Sequence, residues 1–193
     1  MRKLGLAAVL VVAATLVTST PAMAQAAKKK RQPISPHETI TATIDGDEIK
    51  LAYGRPYTIK PGTTEVRKIW GGLVPYGKVW RTGADEATLL TTAQPIEIGG
   101  YSLAAGTYSL FTVPYEDGTA KLIINKKTGQ WGIPYNEASE KANELARVDL
   151  KKSTLDKTVD QFTMGIEPAA GGGGVLKMMW EDTQYSIPFT VKK

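Results

Sequence analysis

From residue 37 onward, hydrophobic and polar side chains alternate with a period of two in one short segment after another. Each segment stops at Gly, Pro, Asn or Asp. Such alternation puts successive side chains on opposite faces of a strand. It predicts strands at 39–44, 48–54, 87–92, 96–100, 106–114, 119–125, 146–152, 161–167, 175–181 and 185–191. Asp45-Gly46-Asp47, between the first two, is a hairpin signal. Strands spaced about ten residues apart with local turns predict an all-β fold, an antiparallel β-sandwich of jelly-roll-like or barrel-like form. Only "NEASEKANELA" (136–146), behind Pro134, has helical composition, so at most one short helix is expected. Gly171–Gly174 reads as a loose connector between two antiparallel strands. It matches no G-x-x-x-x-G-K-[ST] pattern, and no helix follows to aim its N-terminus at a phosphate.

The alternation is absent from the first 36 residues, which have a different grammar. Arg2 and Lys3 precede an apolar run from Leu4 to Val17, and Ala22-Met23-Ala24 supplies small residues for cleavage. This is the pattern of a secretory signal peptide (1–24) cut after Ala24. The apolar run spans 14 residues, fewer than the roughly 20 of a spanning helix. The sequence therefore predicts export to the periplasm or beyond, with no membrane span. Loss of Arg2 and Lys3 lowers the formal net charge from +5 to +3. Much of the remainder is "KKKR" (28–31), in a leader (25–36) that reads as a solvated basic tether. The basic pI thus reflects the leader, and a nucleic-acid partner is not expected. A single domain is expected at 37–193. Without cysteine it is held by its core and not by disulfides.

Composition also narrows the chemistry. The one histidine, His37, lies at the leader's edge, so neither a Ser-His-Asp triad nor a multi-histidine metal site can form, and thiol nucleophiles are absent. No loop has the alternating acids of an EF-hand. No metal and no cofactor are expected. Carboxylate pairs remain, as in glycoside hydrolysis, with Asp85, Glu86, Glu181 and Asp182 as candidates.

The densest stretch is "IWGGLVPYGKVWRTGADEATLL" (69–90). Pro75-Tyr76-Gly77 reads as a turn and "KVWRT" as a short strand, with Val79 and Arg81 on one face and Trp80 on the other. Val79 suggests that the core lies on Arg81's side. A half-buried guanidinium there needs a carboxylate, and Glu86, then Asp85, is within reach across the "TGA" turn. That is a structural clamp. The other reading is a ligand site. Tyr53, Arg55, Trp80, Arg81, Asp85 and Glu86 are the residue types that a glycan or small-anion site uses, with aromatic faces for sugar rings and planar groups for bidentate bonds.

"ITATIDGDEIKLAYGRP", "RKIWGGLVPYGKVWRTGADEAT", "IGGYSLAAGTYSLFTVP", "LIINKKTGQWG" and "LKMMWEDTQYSIPF" occur in that order. Together they resemble the bacterial exported family known as domain of unknown function 2911, over about residues 35–191. The resemblance implies an exported, mostly β domain and brings no established activity. The chain departs from the family's pattern in a longer "YTIKPGTTEV" connection (57–66), in the tetraglycine and in "EASEKANELA" (137–146). The expected role is a non-catalytic binding or envelope-associated module. A carboxylate-based hydrolase acting on glycans is the alternative, and a purely structural or partner-binding domain the third reading.

Overall fold

The computed structural model describes residues 35–192. The predicted signal sequence and all but the last two residues of the predicted leader lie outside that range. All neighbouring strands of the described chain pair antiparallel. Its strands are β1 (His37–Ile44), β2 (Asp47–Gly54), β3 (Thr88–Thr92), β4 (Ile96–Ile98), β5 (Tyr101–Leu103), β6 (Gly106–Pro114), β7 (Ala120–Asn125), β8 (Glu144–Pro168) and β9 (Gly174–Val191). They form one nine-stranded ladder in the order β1-β2-β3-β6-β7-β8-β9-β4-β5. The ladder is open, with β1 and β5 as its edges, and two halves of it share one core. Ile49, Leu51, Leu90, Leu110 and Leu122 from one half pack in the same cluster as Ile96, Leu176, Met178, Ile187 and Phe189 from the other.

Two pairs of expected strands are continuous. β8 runs 25 residues and β9 runs 18, each absorbing two predicted segments. Their register breaks between Thr154 and Val159 and again between Val159 and Thr163. The surplus residues of β8 bulge out there, and opposite them Glu181 takes a positive φ of 53°. The tetraglycine does join two antiparallel strands, but tightly. Gly173 has φ 71°, and a Cβ on it would lie 2.1 Å from the Phe189 carbonyl oxygen. Its amide donates to Asp45 Oδ2 at 2.5 Å. The expected helix shrinks to α1 (Glu137–Glu140), capped by the Asn136 side chain, followed by a 3₁₀ turn at Lys141–Asn143.

β6 explains how the functional region is held. Leu110 faces the main core, whereas Phe111 and Val113 face a smaller cluster with Ala87 and Ile123, onto which Val79 and Tyr135 pack. The outer face of the sheet is thus covered by chain from the β2–β3 connection and from the segment before α1. That connection, residues 55–87, contains no named strand or helix. It is ordered by isolated bridges at Tyr57–Gln161, Ile59–Val66, Trp70–Val74 and Trp80–Thr112. Long structureless connections in compact domains are uncommon and are often functional.

Candidate functional site

The connection enters at a close backbone approach. A Cβ on Gly54 would lie 2.2 Å from the Ala84 carbonyl oxygen, so only glycine lets the two segments touch. Further along, Trp80 pairs with Thr112 through two backbone bonds of 2.8 Å and so extends the ladder alongside β6. Trp80 is buried, with its indole N–H on the Gly83 carbonyl at 3.0 Å. Its ring stacks on Trp180 at 6.0 Å between centroids and meets Phe162 edge-on at 5.0 Å. Trp70 completes the cluster, edge-on to both Trp80 and Trp180. The main core therefore lies on Trp80's side of this short strand, not on Arg81's. Aromatic bulk outweighs the valine that suggested otherwise, and Val79 is covered instead by the smaller cluster.

The turn that follows is strained. Thr82 and Asp85 both have positive φ, 54° and 64°, a region costly for a β-branched residue. Its neighbours hold it there. Thr82 Oγ1 bonds Thr112 Oγ1 at 2.8 Å, Thr88 Oγ1 donates to the Thr82 carbonyl at 2.6 Å, and the Ser35 amide donates to Asp85 Oδ2 at 3.0 Å.

Above the tryptophans opens a cleft of about 320 Å³. Trp80 and Trp180 line its floor, Arg67, Arg81 and Asp85 its polar wall, and Leu73 and Ile133 its exposed apolar rim. Arg81 is half-buried. Its Nη1 donates to the carbonyls of Asp85 and Trp131, the latter at 2.9 Å, and its guanidinium lies 5.7 Å over the Trp131 ring. Arg67 donates from Nε to the Thr58 carbonyl at 3.4 Å and from Nη2 to the Tyr57 carbonyl. Among the described residues, no carboxylate pairs with Arg67.

Three of the six sequence candidates, Trp80, Arg81 and Asp85, line this cleft. The other three are engaged elsewhere. Glu86, the first choice as Arg81's partner, bonds His37 Nε2 at 3.1 Å. Tyr53, near the end of β2, and Arg55, just after it, both reach Glu38. Tyr53 donates to Glu38 Oε2 at 2.6 Å and accepts from the Met164 amide at 3.0 Å. Arg55 pairs with Glu38 at 3.3 Å and bonds the Phe162 carbonyl and Thr163 Oγ1 at 3.2 and 2.9 Å. Burial, and then the hydrogen bond to Glu38, push the Tyr53 hydroxyl up to about 12. Glu181 and Asp182 do not line the cleft; burial, followed by the charge of Asp182, raises Glu181. Arg67, Leu73 and Ile133 belong to the cleft without having been singled out from sequence. Among the described residues, no group of three or more His, Cys, Asp or Glu side chains could hold a metal ion. No helix there is long and apolar enough to cross a membrane.

A family model described as "Protein of unknown function (DUF2911)" matches residues 35–189. The chain belongs to this family. No curated protein and no solved structure matches it. The match takes in β1 through nearly the end of β9, and with them every described wall of the cleft.

Proposed function

We propose that this DUF2911 domain is an exported, non-catalytic binding module whose cleft takes a small anion, best a sugar acid. Export rests on the N-terminal pattern, with processing after Ala24. The observation that carries the binding reading is Arg67. Its guanidinium lines a cleft floored by indole rings, and no carboxylate among the described residues neutralises it. A ligand carboxylate can take up that charge bidentately, while the ring of the sugar lies along Trp80 and the apolar rim. Asp85, whose Oδ2 accepts from the Ser35 amide, lies on the same wall.

Asp85 is also the only acid among the described residues that line the cleft. A glycosidase of the usual kind needs two carboxyl groups facing each other across the scissile bond, so binding is the better-supported reading. The test is a pair of titrations followed by amide chemical shifts. Glucuronate should shift residues of the 67–85 segment saturably, and glucose, which lacks the carboxylate, should do so at least about tenfold more weakly. Equal effects from the two sugars, or none from either, would sink the reading.

A further inference from the structure

The hairpin at 57–67 turns its apolar residues outward. Ile59 bridges Val66, which sets the two side chains on one face, and Tyr57 lines the same surface depression as Ile59. That face meets solvent: Tyr57 is 42% exposed, Ile59 47% and Val66 69%. The inward residues are the polar ones. Thr58 is buried, its hydroxyl accepting from the Trp180 indole at 3.1 Å. Arg67, whose amide donates to the Thr58 carbonyl at 3.0 Å, lines the cleft. A hairpin that only closed the cleft would carry polar residues outside. The exposed large hydrophobics among the described residues are Tyr57, Ile59, Val66, Leu73, Tyr76 and Ile133, and none of them lies in a strand of the sheet. Single exposed apolar residues are ordinary, but a gathered set marks an interaction site.

We propose that this face is a docking surface for an anionic lipid bilayer, which the domain meets peripherally. Exposed apolar side chains enter the headgroup boundary, and cations beside them meet lipid phosphates. The hairpin's spare charge has the right sign. Lys60 is met by Glu65 at 3.2 Å. Beyond that pair, Arg67 and the exposed Lys68 stand against the single charge of Asp160, which lines the same depression as Tyr57. The chain before the described range adds to this. Lys28, Lys29, Lys30 and Arg31 end four residues before Ser35, and Ser35 lines the first cleft together with Pro61 and Arg67. The basic run is therefore tethered at the hairpin's end of the domain. One small apolar contact holds a bilayer only marginally, and a basic run supplies the second signal that stable attachment takes. A second copy fits less well, because a two-fold contact through this face would set Arg67 and Lys68 against their own counterparts. Tyr57, Ile59 and Val66 do not line the anion cleft, so the proposal stands apart from that reading.

The mature chain would be sedimented with vesicles of phosphatidylcholine alone and with vesicles of phosphatidylcholine and phosphatidylglycerol in equal parts. It should partition onto the anionic vesicles at least about tenfold more strongly than onto the neutral ones. Ile59→Ser combined with Val66→Ser should weaken that partitioning about tenfold or more, because two apolar side chains no longer leave water. Circular dichroism checks the fold of this variant. If it does not fold, Tyr57→Ser replaces it and should weaken partitioning severalfold. Equal partitioning onto both kinds of vesicle, or none onto either, would overturn the proposal. So would variants that partition as wild type does, since the basic run alone would then hold the bilayer. Sedimentation velocity without lipid covers the other occupant. A dimer that the same substitutions dissolve would give this face to a second copy, and would also overturn the proposal.

Discussion

Arg55 and Arg67 lie twelve residues apart, and both are half-buried, yet the fold uses them differently. Arg55 follows β2 directly and has a carboxylate, a carbonyl and a hydroxyl as partners, near a tyrosine that shares the same carboxylate. It straps the first hairpin to β8. Arg67 meets only main-chain carbonyls and faces a cleft with its charge unpaired among the described residues. Composition treats the two alike. What separates a strap from a binding group is the partner carboxylate, and that partner is long-range in sequence. Arg81 stands between them, joining two loops through carbonyls while also lining the cleft.

The largest effect should come from the residue that serves both regions. Trp80→Ala removes a buried ring from the centre of the aromatic cluster and should cost about 3–5 kcal/mol in urea unfolding, with glucuronate binding lost as well. A loss below about 1 kcal/mol would mean that the cleft floor is not part of the core. Next come two double-mutant cycles. Arg55→Ala should cost about 1.5–3 kcal/mol, and its cycle with Glu38→Ala should show coupling of about 1 kcal/mol. Arg81→Ala should cost about 1–2 kcal/mol, but its cycle with Glu86→Ala should show almost none, because Glu86 belongs to His37. Strong Arg81–Glu86 coupling would restore Glu86 as the partner expected first from sequence.

A smaller effect should appear at alkaline pH. Tyr53 holds its proton up to about 12 in the folded chain, against about 10 when unfolded. A raised folded value means that this contribution is fully present below about pH 10 and is lost as pH rises through about 12. Tyr185 is raised by burial to the same range. Stability should therefore fall between those limits, and less steeply in Tyr53→Phe. An equal fall in that variant would show that Tyr53 is not coupled to folding.

The strands were legible because period-two alternation and turn residues are local signals, and Asp45-Gly46-Asp47 makes the hairpin that it suggests. The continuity of β8 was not. Residues 154–160 are largely exposed on both faces around the bulge, so no apolar face marks them as strand. The cleft was half legible. Trp80, Arg81 and Asp85 were readable because they sit in one dense stretch. Glu86's partner was not, since His37 is 49 residues away, while Arg81 looked closer across a turn. Arg67 sits just after the "YTIKPGTTEV" extension, which departs from the family's pattern and has the composition of a connection. The available signal was the alternation on either side of Pro61-Gly62, which forms the Ile59–Val66 bridge and brings Arg67 back to Thr58.

The central claim, that Arg67 is a binding group and not a strap, has one direct measurement. Glucuronate would be titrated calorimetrically into wild type and Arg67→Ala, with urea unfolding of both on the same preparations. The account predicts that affinity falls at least about tenfold while stability changes by no more than about 1 kcal/mol. Unchanged affinity together with a loss of several kcal/mol would contradict it, and would make Arg67 a second Arg55.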